Sequence, residues 1–294
     1  MSTPTYDPLR PRRSVLYMPG ANARALEKAQ TLPADALILD LEDAVAPDAK
    51  ADARERVCAA VGSGAYGTKE LTIRVNGIGT QWHDDDLAAA AQAGPHGIVV
   101  PKVNSAAEVQ ALADALEKHG APDHTRLWAM LETPVAVLHA EEITGAHERL
   151  AVLVLGTNDL VKELRAQHVP GRAPLQTALS LCLLAARLAD KVILDGVYND
   201  VKNLEGFEAE CEQGRAMGFD GKTLIHPGQL EAANRLFAPS EAEVERSHRI
   251  IEAFETAQAE GRGVVTVDGR MIENLHVDEA RRVLAAAAAI AAQG

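Results

Sequence analysis

The chain has 294 residues, 47% hydrophobic and 24% charged, a composition that suits one large α/β domain or two smaller ones. With 29 Lys and Arg against 42 Asp and Glu it carries a formal charge of −13, which argues against a nucleic-acid binder whose affinity comes from cations facing phosphates. Cys58, Cys182 and Cys211 are odd in number and unpatterned, so neither a disulfide framework nor a zinc cluster is expected.

Residues 1–13 hold no apolar signal segment and no apolar run reaches 18 residues, so a cytoplasmic protein without membrane contact is the expectation. Short apolar runs then recur at 15–18, 36–39, 71–75, 97–100, 127–131, 151–155, 192–197 and 223–225. They do not alternate with polar residues, as strands buried on both faces do not. Their starts lie far enough apart for a helical crossover back to a parallel strand. Helical patterns fill 22–30, 48–60, 82–93, 106–119, 177–188 and 207–217, and Ser105 with Glu108 reads as a capping box. Eight such units predict a (β/α)8 TIM barrel, with a doubly wound eight-stranded sheet as the alternative. No GxGxxG follows the first strand, which weakens a dinucleotide-binding version.

Beyond the eighth strand a helix runs to about 237. A second, opened by Ser240-Glu241-Ala242-Glu243, runs to about 259 and is closed by Gly261-Arg262-Gly263. Residues 264–272 form a hairpin about Asp268-Gly269, and a last helix covers 277–292. The chain thus divides into a barrel at 12–238 and a C-terminal helical extension at 239–294.

A barrel collects its chemistry at the C-terminal ends of its strands. Glu132 and Asp159 end the fifth and sixth strands. They could share one Mg²⁺, which takes a couple of carboxylates and completes its shell with water and substrate oxygens, or they could cap helices. Asp40, Glu42 and Asp43 cluster after the second strand, either around such a site or as solvated loop acids. Arg74 ends the third strand and suits a carboxylate or phosphate; a salt bridge to Glu42 or Asp43 is compatible with that role. Pro19-Gly20 ends the first strand, and Gly156-Thr157-Asn158 precedes Asp159 at the end of the sixth. Lys102 is a weaker candidate, and His226 reads as a structural histidine. No Walker A, HExxH, CxxC or GxSxG motif is present.

RSVLYMPG at 13–20, DLEDAV at 40–45, RVNG at 74–77, LETP at 131–134, GTNDL at 156–160 and GKTLIHP at 221–227 together resemble the citrate lyase β-subunit-like family, whose relatives include malyl-CoA and citramalyl-CoA lyases. The resemblance implies an Mg²⁺-dependent carbon–carbon lyase that splits a 3-hydroxyacyl-CoA thioester into an acyl-CoA and a 2-oxo acid (oxaloacetate, glyoxylate or pyruvate). A malyl-CoA thioesterase, or the β subunit of a citrate lyase complex acting on a carrier-bound thioester, is the alternative. It implies Glu132 and Asp159 as metal ligands and Arg74 as the holder of the oxo-acid carboxylate. Asp40, Glu42 and Asp43 would surround them, with Asp43 also in the catalytic group. Pro19 and Gly20 would lie near the CoA arm, and Gly156, Thr157 and Asn158 would touch substrate. It also implies a homotrimer or homohexamer in which the tail motif DGRMIE, 268–273, delivers an acid into a neighbouring site. That acid is Glu273 here, where the family has Asp; Asn203 likewise stands where an acid is usual.

Overall fold

The computed structural model describes residues 7–260 and 265–293. The helix end at Gly261-Arg262-Gly263 and the first hairpin residue, Val264, lie outside them. The order is β1 (Ser14–Pro19), α1 (Ala23–Ala29), β2 (Ala36–Asp40), α2 (Lys50–Gly62), β3 (Glu70–Arg74), α3 (His83–Ala93), β4 (Gly97–Val100), α4 (Ala106–Lys118) and β5 (Arg126–Leu131). There follow α5 (Pro134–Leu138), α6 (Ala140–Gly145), β6 (Leu150–Leu155), α7 (Thr157–Glu163), α8 (Gln176–Leu188), β7 (Val192–Asp195), α9 (Leu204–Met217), β8 (Gly221–Leu224) and α10 (Leu230–Leu236). Strands β1 to β8 are parallel neighbours in sequence order and β8 closes on β1, so the TIM barrel is the fold.

Each strand sends alternate residues to two environments. Ile38, Val99, Trp128, Met130, Val152, Val154 and Leu194 pack together inside the barrel. Leu16, Leu37, Leu39, Ile73, Ile98 and Leu153 face outward into the larger core beneath the helices. At the N-terminal end Arg12 pairs with Glu70 at 2.6 Å, its guanidinium 5.7 Å from the Trp128 ring centre. Both faces are buried, which is why the strands read as unbroken apolar runs.

The helices begin where local chemistry predicts. Asn22 Oδ1 accepts from Ala25 N at 3.1 Å. The Ser105 box is only half formed: Ser105 Oγ accepts from Glu108 N, but the Glu108 carboxylate accepts from Asn104 N at 2.6 Å. Helices α5, α6 and α7 have no counterpart in the sequence reading. They have 5, 6 and 7 residues, too short for a helical period to declare itself. Strand β7 stops at Asp195, two residues before the end of its apolar run.

A second compact unit begins at Ala238 and includes Leu9–Pro11. It contains α11 (Glu241–Ala259), β9 (Val265–Val267), β10 (Arg270–Ile272) and α12 (Asn274–Ala291). Ser240 and Glu243 form a true capping box on α11. Asp268 and Gly269 turn the hairpin with φ of 50° and 75°, as a tight two-residue turn requires. Ile250, Val267, Ile272, Val277 and Ala280 make a small core of its own. Cys58, Cys182 and Cys211 are all unbridged. Among the described residues no helix is long and apolar enough to cross a membrane.

Candidate active site at the mouth of the barrel

A cavity of about 310 Å³ opens at the C-terminal ends of the strands. Its walls include Asp40, Asp43, Arg74, Glu132, Gly156, Thr157, Asn158 and Asp159. Residues from 40 to 159 therefore converge because strand ends of a closed barrel share one rim.

Strand register builds the cationic side. Asp40 lies opposite Arg74 in the β2–β3 pairing. The guanidinium grips Asp40 through two parallel bonds, Nε to Oδ1 and Nη2 to Oδ2, both 2.7 Å. Its Nη1 lies 2.7 Å from Glu42 Oε2 and 3.4 Å from Asp43 Oδ2. The salt bridges expected to Glu42 and Asp43 are both present, and Asp40 is the principal partner beside them. Asp40 also accepts from Glu42 N at 2.9 Å and Ala44 N at 3.1 Å, so one buried carboxylate fixes both the arginine and the acidic loop. Tyr17 lies beneath, its ring centre 4.9 Å from the guanidinium carbon. Burial pushes the Glu42 carboxyl up to about 7 against the opposing pull of Arg74.

The anionic side is built by β5 and β6. Glu132 is 2% exposed and its Oε1 accepts from Lys102 N at 2.8 Å. Gly156 packs so closely that a Cβ there would collide with the Glu132 carboxylate. Asp159 stands in the first turn of α7, 3.2 Å from Lys102 Nζ. Burial, and then the charges of Asp159 and Glu42, push the Glu132 carboxyl up to about 8. Neither acid caps a helix. Thr133 Oγ1 takes that place on α5, accepting from Ala136 N, and Asp159 makes no capping bond on α7. Burial first, and then a neighbouring carboxylate, leave the Glu132 carboxyl short of compensating positive charge even with Lys102 Nζ beside Asp159. Two oxygen donors of this kind, with room for water and substrate, fit Mg²⁺. Among the described residues no group of three or more His, Cys, Asp or Glu side chains could hold a metal, so this is a two-carboxylate pair and not a closed cage.

Other candidates sit elsewhere. Gly20 packs under the barrel rim, where a Cβ would meet the Asp40 carbonyl, and Pro19 precedes it in β1; neither lines the cavity. Asn158, although on the cavity wall, exchanges two hydrogen bonds with Asn199. His226 accepts from Gly228 N and closes a turn, a structural role. Asn203 caps α9 by accepting from Gly206 N. Asp195 points away from the mouth into a buried network with Arg172, Lys222 and Glu210 on α9. Glu273 precedes α12 in the second unit, exposed, with its backbone N–H donating to His276 Nδ1. Tyr17, Met130, Val197, Thr223 and Ile225 also line the cavity and were not expected; for Tyr17, Met130 and Thr223 strand alternation was the available signal.

The model of the HpcH/HpaI aldolase/citrate lyase family matches residues 13–227. A (3S)-malyl-CoA thioesterase of Cereibacter sphaeroides is 55% identical over 284 residues, covering 97% of this chain and 97% of that protein. The citrate lyase subunit beta of Escherichia coli is 38% identical over 283 residues, covering 95% and 94%. The structure of CitE from Mycobacterium tuberculosis in complex with magnesium, acetoacetate and coenzyme A superposes with a TM-score of 0.76 at 28% identity, covering 94% of this chain and 97% of that one. A match over most of the barrel and relatives of equal length carry one conclusion: the chain belongs to the HpcH/HpaI aldolase/citrate lyase family.

Proposed function

We propose that this protein is an Mg²⁺-dependent enzyme acting on malyl-CoA or a closely related 3-hydroxyacyl-CoA thioester. The observation that carries the reading is one cavity that sets the buried Glu132 and the partly exposed Asp159 opposite the buried cation Arg74. A 2-hydroxy or 2-oxo acid presents a carboxylate and an adjacent oxygen, the pair of groups such a site is complementary to. Glu132 and Asp159 would hold the ion, which when bound supplies Lewis acidity to the substrate oxygens.

The remaining work falls to the protein. Arg74 is pre-aimed by Asp40 and Tyr17, so it loses little freedom on meeting a substrate carboxylate. Glu42 and Asp43 compete for the same Nη1, and the substrate carboxylate displaces them. Asp43, exposed at the cavity wall, is the acid of that cluster that can meet substrate directly. Gly156, Thr157 and Asn158 shape the wall beside Asp159, and Gly156 brings the backbone against the Glu132 carboxylate. Pro19 and Gly20 keep the role of flanking the CoA arm at the rim. Glu273 is the proton-transfer candidate, supplied from a second copy in a trimeric or hexameric assembly, with the barrel as catalytic domain and the extension as its carrier.

Hydrolysis to malate and free CoA is the favoured reaction, supported by the thioesterase relatives at 53–55% identity. Carbon–carbon cleavage to acetyl-CoA and glyoxylate is the second reading, supported by the citrate lyase β subunits and by the acetoacetate and coenzyme A bound to CitE. Both begin from the same bound carboxylate and differ in the bond broken. Incubation with (3S)-malyl-CoA and Mg²⁺, with malate, thiol, acetyl-CoA and glyoxylate all quantified, separates them. Equal malate and thiol supports hydrolysis, acetyl-CoA with glyoxylate supports cleavage, and none of the four refutes the substrate class.

A further inference from the structure

Lys102 is a cation that the reaction outlined above does not use. It follows Pro101 at the end of β4 and grips both acids at once. Its backbone N–H donates to Glu132 Oε1 at 2.8 Å, and its Nζ lies 3.2 Å from Asp159 Oδ1. The residue adopts a left-handed backbone with φ of 52°, which costs a side-chain-bearing residue about 1 kcal/mol or more and persists only when neighbours enforce it. The neighbours are present: Asn104 Nδ2 donates to the Lys102 carbonyl at 2.8 Å, and Thr133, the residue after Glu132, hydrogen-bonds Asn104. The turn is therefore locked to the strand that carries Glu132. The other nearby cation, Arg74, is engaged by Asp40, Glu42 and Asp43.

We propose that Lys102 is a tethered counter-ion for the acid pair, holding Asp159 beside Glu132 when no metal is bound and competing with the divalent cation for Asp159. The proposal rests on Glu132 and Asp159 being the metal ligands. An ammonium and a dication cannot both sit against one carboxylate without repulsion, so loading the metal drives the lysine head away from Asp159. Its side chain is 47% exposed, so it has open solvent to move into, while its backbone bond to Glu132 stays in place. Lys102 is a positioning residue: it sets how tightly the ion is held and keeps the empty site assembled.

The test is calorimetric titration of Mg²⁺ into the full-length wild type, Lys102→Met, Lys102→Gln and Lys102→Arg, with melting curves in EDTA and in saturating Mg²⁺. Loss of the ammonium is expected to tighten Mg²⁺ binding roughly fivefold in Lys102→Met and Lys102→Gln, the scale of a partly exposed ion pair. Lys102→Arg is expected to stay within about twofold of wild type. Lys102→Met is also expected to melt below wild type in EDTA but not in saturating Mg²⁺. A merely structural lysine would weaken binding when removed. Unchanged or weaker affinity in both neutral variants, with normal binding in wild type, overturns the proposal alone. A wild type that binds no Mg²⁺ overturns the ligand assignment and the proposal with it.

Discussion

Glu132→Gln isolates the charge of the acid pair with almost no change of shape. The amide oxygen can still accept from Lys102 N, so the bond to β4 survives. In the metal-free protein the Glu132 carboxyl stands at about 8, against 4.5 in an unfolded chain. The folded form therefore holds more protons between these values, and stability falls as pH rises from about 4.5 to about 8 and levels off above. Glu42, raised to about 7, adds a slope of the same sign. For Glu132 the full shift is worth at most about 5 kcal/mol; side-chain relaxation at an open cavity reduces it, and about 2 kcal/mol is expected to survive. Glu132→Gln should thus melt about 4–8 °C above wild type at pH 8.5 in EDTA and close to it near pH 5. Saturating Mg²⁺ should raise the wild-type melting temperature at pH 8.5 and leave the variant unmoved. The assay is thermal unfolding from pH 5 to 9, with EDTA or MgCl2. A wild-type profile that is flat in EDTA, or a variant that melts lower at pH 8.5, would refute the charge argument.

Removing the guanidinium in Arg74→Met strands the buried Asp40 carboxylate, and chemical denaturation should show a loss of about 3–5 kcal/mol. Arg74→Lys keeps one charge but not the two-bond grip, so turnover should fall at least about a hundredfold with a smaller stability loss, read from steady-state rates beside melting curves. Gly156→Ala pushes a methyl against the Glu132 carboxylate; about 1–3 kcal/mol of strain and weaker Mg²⁺ binding by calorimetry are expected. Lys222→Met leaves Asp195 and the partly exposed Glu210 facing Arg172 alone, and a loss of about 3 kcal/mol should appear in denaturation.

The barrel was legible because strands buried on both faces leave apolar runs without alternation, and eight such runs, each far enough from the next for a helical crossover, admit few architectures. Short helices such as α5 and α7 were not, since one or two turns carry too little periodicity. At the site, Arg74, Glu132 and Asp159 were visible because each is a charged residue where an apolar strand stops. Their partners were harder to read. That Asp40 is the principal partner of Arg74 depends on the β2–β3 register, which composition does not encode. Asp195 ends β7, yet its side chain turns to the helix layer, which nothing in the sequence marks. Lys102 joins the acids only because the chain turns left-handed after Pro101, a local conformation without a sequence marker for lysine.

The most direct measurement is the rate of malate and thiol release from (3S)-malyl-CoA by wild type with Mg²⁺, by wild type in EDTA, and by Asp159→Asn with Mg²⁺. The expected result is turnover in the first and a loss of at least about a hundredfold in the other two, because the acid pair then lacks either the ion or a ligand for it. Undiminished turnover in EDTA, or in Asp159→Asn, would contradict the central claim that Glu132 and Asp159 hold the cation on which the reaction depends.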